Sequence, residues 1–335
     1  MKKPFGVQYY RLLFLLGSIA VSLLAVLHIG TGTVPLTSTE VIAALLYHPV
    51  APFHFIIVWD LRLPRTLIAI VVGAMLGLAG ALLQSVMHNP LTEPEMTGAT
   101  SGAVLFAVLW LARGPGQLAQ PGIDLPLAAL VGGVLAGGLV YLLSWQRKTV
   151  ASRLVLTGVL VSVVLRSCTS VILLLRQESI GSILIWLIGS LDGRVWIHWQ
   201  MLWPWALFAL PLGLGCASRA NVLQLGDASA TGLGLRVLWS RAVLFFIAII
   251  LTASAVAVVG GITFLGLIAP HSARRIVGTD ARRLFPFSML VGAGLLLAAD
   301  TVAQMLSQAV AIPVGAVLAL LGAPFFLYLV WRRNL

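Results

Sequence analysis

The segment Arg219–Arg241, RANVLQLGDASATGLGLRVLWSR, is polar and rich in small residues, and it separates two long hydrophobic parts of the chain. It contains no set of residues typical of a catalytic centre. The pattern from Leu225 to Gly234 predicts two short helices joined by a turn that glycine permits. Their small residues would let a partner approach closely. We interpret the segment as a surface by which a protein outside the membrane contacts a membrane-embedded body.

The composition of the chain excludes a soluble domain. Hydrophobic residues make up 60% of the sequence and charged residues 9%, with a mean hydropathy of +1.04. A soluble core cannot bury so much apolar surface, so we predict an all-α polytopic membrane protein. The net charge of +11 does not indicate a nucleic-acid partner, because the basic residues lie at the ends of apolar runs. The two cysteines form no Cys-x-x-Cys motif, so no metal site is predicted.

The apolar runs predict ten transmembrane helices in a single transmembrane domain over residues 1–335, if the short run 262–270, ended by Pro270, is one of them. Both termini are placed on the cytoplasmic side and residues 180–191 on the outer side. Most of the 21 lysines and arginines then lie inside, as the positive-inside rule requires. This topology puts the segment 219–241 on the cytoplasmic face. The basic residues outside are Arg62, Arg65, Arg113, Arg176 and Arg194.

The stretch Asp60–Leu67, DLRLPRTL, marks the outer start of a span. Pro64 is tolerated in the first turn of a helix, so the span is predicted to begin there. Arg62 and Arg65 either extend to lipid headgroups or form a positive patch for an acidic docking partner. Within the span, residues 73–80 carry three glycines at helical spacing, which predicts close helix packing.

Arg166 lies inside an apolar run, where a charge is costly and is a functional candidate. Two interpretations stay open. Arg166 faces a pathway used by an anionic solute, or it pairs with Asp300, the other charge within the membrane, as a structural tie.

The stretch His88–Ala103, HNPLTEPEMTGATSGA, places two prolines and two carboxylates between two spans. Proline-broken polar backbone persists at membrane depth only where it lines protein or a water-filled cavity, so the stretch indicates a cytoplasmic gate. A plain surface hairpin is the alternative. Glu93 and Glu95 lack an accompanying nucleophile or metal-ligand set, so hydrolysis is not predicted. The chain also lacks the motif G-x-x-x-x-G-K-[ST], so any ATP must be bound by a separate subunit.

On these residues the sequence resembles the permease subunits of bacterial ABC importers for iron–siderophore complexes, haem and vitamin B12, the FecCD-like or type II importer permeases. The matching segments follow the family order over nearly the whole chain. They include LRLPRTL (61–67), GLAGALLQSVMHNPLTEPEMTGATSGA (77–103), LQLGDASATGLG (223–234), GITFLGLIAPHSARRIVGTDARRLFP (261–286) and IPVGAVLALLGAPFFLYLV (312–330).

The resemblance implies the type II ABC importer permease fold, with ten transmembrane helices. It implies a second permease copy or paralogue around one central pathway, two cytoplasmic ATPase subunits that bind ATP and Mg²⁺, and a periplasmic substrate-binding protein. No cofactor and no enzymatic activity are expected in this chain itself. The expected location is the bacterial inner membrane, with both termini cytoplasmic.

The resemblance also implies roles for individual residues. Coupling to the ATPase is expected in the segment 219–236, at Leu223, Leu225, Gly226, Asp227, Ala230, Leu233 and Gly234. The cytoplasmic gate is expected at Asn89, Pro90, Leu91, Ala151 and Ser152. Arg62 and Arg65 match rim arginines that meet acidic residues of the binding protein. Relatives often carry an arginine where this chain has Gln304, so a third rim contact is not expected.

The segment from Leu156 to Trp196 resembles ferric-siderophore permeases more than those for haem or vitamin B12, and Arg166 and Arg176 suit an anionic ferric chelate. Import of ferric siderophores is therefore the first expectation, and haem or vitamin B12 import is the alternative. A secondary transporter driven by an ion gradient would need titratable or oxygen-rich sites at the bilayer midplane. Only Arg166 and Asp300 are candidates for such sites. A membrane scaffold without transport activity is a further alternative.

Overall fold

The computed structural model describes residues 7–48, 51–112, 124–144, 151–175, 187–307 and 312–333, and all regular structure in these ranges is helical. A π-helical segment, Ile56–Arg62, leads into the helix that begins at Leu63, and a 3₁₀ turn, Pro94–Thr97, comes just before the helix that begins at Ala99. The helices are α1 (Val7–Gly30), α2 (Ser38–Leu45), α3 (Pro52–Phe55), α4 (Leu63–Met87), α5 (Ala99–Leu111), α6 (Asp124–Ser144), α7 (Ala151–Leu175), α8 (Trp196–Gly215), α9 (Ala217–Leu223), α10 (Asp227–Gly232), α11 (Val237–Val259), α12 (Leu265–Val277), α13 (Ala281–Leu306) and α14 (Val314–Arg333).

The all-helical fold is confirmed over the described ranges, whereas the number of crossings stays a prediction. Within the described residues, 6 helices could cross a membrane by length and composition, or 7 if α8 and α9, which are bent by 44°, form one span. α5 and α12 contain only 13 residues each, fewer than the roughly 20 that a spanning helix needs. α5 follows the loop at residues 88–98 and its 3₁₀ turn, and α12 follows a non-helical stretch at residues 260–264, of which residues 260–262 are buried.

The span around Pro64 begins earlier than predicted. The helical path starts at Pro52 and continues for 36 residues to Met87. The π-helical segment comes directly before Pro64, and its wider turn lets the N–H of Leu63 bond to the carbonyl of Val58, five residues back. A proline that lacks an N–H is thereby accommodated inside a longer helix.

Pro270 does not end its helix, contrary to expectation, because α12 continues to Val277. Proline cannot donate to the carbonyl four residues earlier, which is that of Gly266. This carbonyl lies against Gly80 of α4, so closely that no Cβ atom fits on Gly80. The helix therefore continues past the proline, with the freed carbonyl covered by a neighbouring backbone.

Glycines bring α4 into backbone contact with α12 and α13, as their spacing predicted. A Cβ atom on Gly73 would meet the backbone of Gly292, and one on Gly77 would meet the carbonyl of Ser288. Together with the contact of Gly80, these make a continuous line that we term the glycine seam (Gly73, Gly77 and Gly80). Such contacts are how helices associate closely where lipid offers no hydrophobic driving force.

We expect Gly80→Ala to destabilise the protein, because its new methyl group would overlap a backbone carbonyl rather than a flexible side chain. Overpacking of this kind costs about 1–3 kcal/mol. Thermal unfolding of the purified protein in detergent measures the change. Gly138→Ala on α6 is the matched control, since nothing lies within 4 Å of its Cβ position. Equal midpoints for Gly80→Ala and the wild type would contradict the prediction.

Burial separates a central pair of helices from peripheral ones. The most apolar windows of α11 and of the helix ending at Met87 are 83% buried, whereas those of α1 and α7 are 11% and 22% buried. α7 exposes large apolar side chains along its length, including Leu160, Val164 and Leu174. α4 and α11 thus form the centre of the fold, and α7 lies at its periphery.

Candidate functional site

Residues 219–236, which we term the coupling segment, contain α10 and most of α9. The sequence predicted two short helices between Leu225 and Gly234, but the first of them ends earlier, at Leu223, and only α10 lies in that range. Gly226 joins the two helices with a φ of +90°, a left-handed value that glycine adopts without strain. Leu225 and Leu233 are 60% and 66% exposed, and Asp227 and Gly234 are also exposed. An apolar surface made of two leucines is therefore presented to the exterior.

Two residues predicted to contact a partner are buried instead. Leu223 and Ala230 are fully covered by the rest of the chain. The expectation that the small side chain of Ala230 lets a partner approach is wrong, because this residue lies on the inner side of α10. Both residues hold the segment on the body of the protein.

The coupling segment is attached to the start of α13. Asn221 donates from Nδ2 to Asp280 Oδ1 at 2.7 Å, and its Oδ1 accepts from the N–H of Ala281, also at 2.7 Å. Gln224 donates to the carbonyl of Thr279 at 3.3 Å. Burial raises the pKa of Asp280, but hydrogen bonds from Asn221 and the N–H of Arg282, with the charges of nearby arginines, bring it below its ordinary value. Asp280 is thus an ionised N-cap of α13.

The coupling segment is also attached to α11 and α4. Arg241, in the second turn of α11, donates to both carboxylate oxygens of Asp227 at 2.7 and 3.0 Å. His88 ends α4 with a φ of +49° and contacts the carbonyl of Leu223 through Nε2 at 2.7 Å. Since a carbonyl only accepts, Nε2 carries the proton, and Nδ1 is left to accept from Arg241 at 3.4 Å. We term His88, Asn221, Asp227, Arg241 and Asp280 the coupling hub.

Sequence reasoning missed most of this hub. Arg241 was assigned only to membrane topology, and His88 only marked the start of the predicted gate. The one usable signal was the carboxylate of Asp227 between small residues, because a charge there needs a partner. Its partner is 14 residues away in sequence and on another helix.

The gate loop, His88–Gly98, folds through a local turn at its start. Asn89 Oδ1 accepts from the N–H of Leu91 at 3.0 Å, and the Asn89 carbonyl accepts from the N–H of Thr92 at 3.2 Å. Pro90 occupies the second position of this turn, where its fixed φ is suitable. Thr92 is fully buried further along the loop, so the alternative of a plain surface hairpin is wrong.

The gate loop is braced against two other helices. Glu93 accepts from the N–H of Phe264, just before α12, at 3.2 Å. Glu95 forms a salt bridge with Arg166 of α7, and its carbonyl accepts from Ser162 at 3.2 Å. The two carboxylates that sequence analysis set aside as non-catalytic therefore have structural partners.

Arg166 does not pair with Asp300, so this interpretation is wrong. Its partner is Glu95, and it also donates to Ser101 at 3.4 Å. The Arg166 side chain remains 54% exposed on α7. Because α7 is peripheral and its window is only 22% buried, the charge faces out of this chain rather than into its core.

Ala151 and Ser152 begin α7, and their side chains lie outside the described part of the structure. Their role in the gate therefore stays a prediction. Among the described residues, no group of three or more His, Cys, Asp or Glu side chains is placed to hold a metal ion.

Asp300 is the centre of a buried polar cluster at the opposite end of the protein. Arg65 donates to both of its oxygens at 2.7 and 2.8 Å, and to Asp192 at 3.2 Å. His28 contacts Asp300 through Nε2 and Thr66 through Nδ1, both at 2.8 Å. Gln304 adds a hydrogen bond to Asp300 at 3.1 Å. We term these residues the outer cluster.

Arg62 binds backbone carbonyls in the last turn of α1 and just after it. It donates to the carbonyls of Ile29 and Val34 at 2.7 and 2.5 Å. Both predicted docking arginines thus make contacts within the chain. Arg65 nevertheless lies beside the exposed carboxylate of Asp192, so the outer cluster reaches the surface. Docking to a binding protein at Arg62 and Arg65 stays a prediction.

Known proteins are similar to this chain over most of its length. The sequence model of the FecCD transport family matches residues 19–332. The chain is 37% identical over 330 residues to the Fe(3+)-citrate import system permease protein YfmE of Bacillus subtilis (strain 168), covering 98% of each chain. It is 38% identical over 287 residues to the iron(3+)-hydroxamate import system permease protein FhuG of the same organism, covering 83% of this chain and 84% of the relative.

A solved structure agrees over nearly the whole chain. It is an inward-facing conformation of an ABC transporter assigned to the metal-chelate type, with a TM-score of 0.82 and 30% sequence identity. The match covers 96% of this chain and 99% of the other.

Proposed function

The chain belongs to the FecCD transport family, and on that premise we propose that it imports a ferric chelate across the bacterial inner membrane. It is a permease subunit of an ABC importer and not an enzyme, and ATP is hydrolysed by a separate ATPase subunit. The observation that carries the mechanism is the coupling hub, which joins an exposed helix pair to the first residue of the gate loop.

The proposed mechanism starts at Leu225 and Leu233, which bind a groove of the ATPase. ATP binding and hydrolysis there displace α9 and α10 as a rigid body. Asn221 passes this displacement to α13 through Asp280, and Asp227 passes it to α11 through Arg241. No nucleotide site is needed in this chain for such a transfer.

The gate responds because its first residue belongs to the hub. His88 contacts the coupling segment, and the loop that follows is braced on α7 through Glu95. A shift of His88 therefore moves the gate loop relative to α7. We assign opening and closing of the cytoplasmic gate to this relative motion, with Asn89, Pro90 and Leu91 at the constriction and with Ala151 and Ser152 opposite them.

The proposed assembly has two permease subunits, either two copies of this chain or the chain with a paralogue. Each is a single domain over residues 1–335 with ten transmembrane helices and cytoplasmic termini. Two ATPase subunits hold ATP and Mg²⁺, so this chain requires no cofactor of its own. A periplasmic binding protein docks beside the outer cluster, where Asp192 and Arg65 lie.

The substrate is proposed from two observations. FhuG and YfmE are described as permeases for ferric hydroxamate and ferric citrate. Arg166 presents an exposed cation on α7, which suits an anionic chelate. Haem or vitamin B12 is the alternative cargo within the family.

Capture by the cognate binding protein tests the substrate class. We expect ferric citrate or a ferric siderophore to bind it far more tightly than haem or vitamin B12, as measured by intrinsic fluorescence titration. The complete importer in liposomes should then transport that ligand with ATP, and vanadate should stop it. Uptake driven by a proton or sodium gradient without ATP would contradict the proposal and favour a secondary transporter.

We expect Arg166→Gln to reduce uptake of an anionic ferric chelate about fivefold relative to a neutral one, since a screened charge interaction is worth about 1 kcal/mol. Initial uptake rates in reconstituted liposomes measure the ratio. Glu95→Gln is the matched control, because it removes the salt bridge and keeps the arginine. Equal losses for both chelates in Arg166→Gln would show that Arg166 acts only as a brace for the gate loop.

A further inference from the structure

A cleft lies over α11, between α6 and α8. α11 packs against both neighbours, and two cavities remain between them. The inner cavity, at the end that carries the coupling segment, has a volume of about 1010 Å³. The outer cavity, toward the opposite end of α11, is about 280 Å³. The inner cavity is large enough for a sizeable apolar ligand.

The walls of the inner cavity are apolar over most of their length. They include Tyr141 of α6, Leu212 of α8, and Phe246 and Ile250 of α11. Pro211 contributes to the same wall, and as a proline inside α8 it leaves the carbonyl of Leu207 without its helical donor. Such a surface suits a lipid acyl chain, which packs on it through dispersion contacts.

The end of the inner cavity beside the coupling segment is basic. Ser218 and Arg219 line it, and Arg282 donates to Ser218 Oγ at 3.3 Å from the start of α13. Arg219 also contacts the thiol of Cys216. Trp239, which is 65% exposed, lies at the same end. Tryptophan at the edge of an apolar surface is typical of the membrane–water interface.

The outer cavity differs in its described lining. Among the residues that the structure describes, its polar lining side chains are Gln200 and Ser254, and no lysine or arginine lines it. The inner cavity has apolar walls and an arginine at one end in that same part of the chain, which is the combination that recognises an anionic lipid.

We propose that the inner cavity binds an anionic phospholipid, with an acyl chain against α11 and the phosphate on Arg219 and Arg282. The site is separate from the gate and the coupling hub, and it goes beyond the proposed import function. Under the proposed topology the lipid belongs to the cytoplasmic leaflet, and no other part of the proposal depends on that topology. Because Ser218 and Arg219 belong to α9, the lipid contacts the same short helix that carries Asn221 of the hub.

Lipid binding to the purified, delipidated permease tests the proposal directly. Native mass spectrometry measures how much phosphatidylglycerol or phosphatidylcholine remains bound as each lipid is titrated. We expect the wild type to retain phosphatidylglycerol preferentially. Arg219→Gln should weaken phosphatidylglycerol binding about fivefold and leave phosphatidylcholine unchanged, since each basic residue near an anionic surface is worth about 1 kcal/mol.

Matched variants distinguish binding at this site from a general attraction of anionic lipids to a basic protein. Arg275→Gln removes an exposed arginine at the end of α12 and should change neither lipid. Ala242→Phe fills the apolar wall and should weaken both lipids, with a thermal midpoint that reports whether the variant is folded. Inorganic phosphate at millimolar concentration should not displace phosphatidylglycerol, because the acyl chain supplies much of the binding.

Three results would overturn the proposal. They are equal binding of the two lipids to the wild type, unchanged phosphatidylglycerol binding in Arg219→Gln, and loss of a permease dimer in Ala242→Phe. The last result would mean that a second copy of the chain covers the cleft. The experiment measures lipid binding and not transport, so a failed uptake assay would not contradict this proposal.

Discussion

Replacing both Leu225 and Leu233 by aspartate should abolish ATP-driven uptake while the permease stays folded. Both side chains are mostly exposed, Leu225 just before the turn at Gly226 and Leu233 at the end of α10, so they make few contacts within the chain. Burying a leucine in a partner's groove is worth about 1.5–3 kcal/mol. Loss of two such contacts weakens ATPase binding by at least a hundredfold. Co-purification of the ATPase and uptake in liposomes measure the two effects.

The matched control for this variant replaces both leucines by methionine. Methionine keeps the apolar area at each position, so ATPase binding and uptake should persist. The thermal midpoint of the aspartate variant should equal that of the wild type. Ala230→Arg is unsuitable as a test of docking, because the buried side chain at that position would force α10 off the protein. Normal uptake in the aspartate variant would place the ATPase contact elsewhere.

Asp227→Ala should separate ATP hydrolysis from transport. The substitution leaves Arg241, which is 7% exposed, without its carboxylate partner and cuts the link from α10 to α11. Removing one partner of a buried charge costs up to 3–5 kcal/mol, and less here because Asp227 is 56% exposed. We expect a lower thermal midpoint and at least a tenfold fall in uptake per ATP hydrolysed in the reconstituted importer.

The double variant Asp227→Ala with Arg241→Met resolves the two effects of this substitution. Removing the buried charge together with its partner should recover much of the stability, because a methionine packs where the arginine lay. Uptake per ATP should stay low, since the contact between α10, α11 and His88 is still missing. If the thermal midpoint and the uptake per ATP both recovered, the pair of Asp227 and Arg241 would support stability alone.

Much of the fold was predictable because its signals are local. The apolar runs fix the helices, and the polar segment with Gly226 predicts a turn between two short helices. The glycines at Gly73, Gly77 and Gly80 predict close packing because their spacing places them on one face of α4. Each of these inferences depends on residues within a few turns of one another.

The errors have a common physical reason, which is that partners of charged residues lie far apart in sequence. Asp300 pairs with Arg65, 235 residues away, and Arg166 pairs with Glu95 on the gate loop. The charges of Arg166 and Asp300 alone made a pair between them one of two open interpretations. The burial of Ala230 was also missed, because a short helix has two faces and composition does not say which faces inward.

Pro270 was misjudged for a related reason, whereas Pro64 lies in the first turn of α4 as predicted but within a longer helical path. Local rules place Pro64 at the start of a helix and Pro270 at the end of one. A π-helical turn accommodates the first, and the backbone of another helix covers the carbonyl that the second leaves free. Such compensation comes from tertiary structure and has no local signal.

The glycine seam has a consequence for how force travels through the molecule. Contacts between side chains can yield, because rotamers change at little cost, whereas contacts between backbones have no rotamers to change. α4, α12 and α13 are joined by backbone contacts, so a displacement of one of them is passed to the others with little loss. The gate loop begins directly after one end of α4, and Arg65 lies near the other end. Under the proposed mechanism, strain that the ATPase applies at the inner face therefore reaches the outer face along a stiff helix, and this couples the shapes of the two ends.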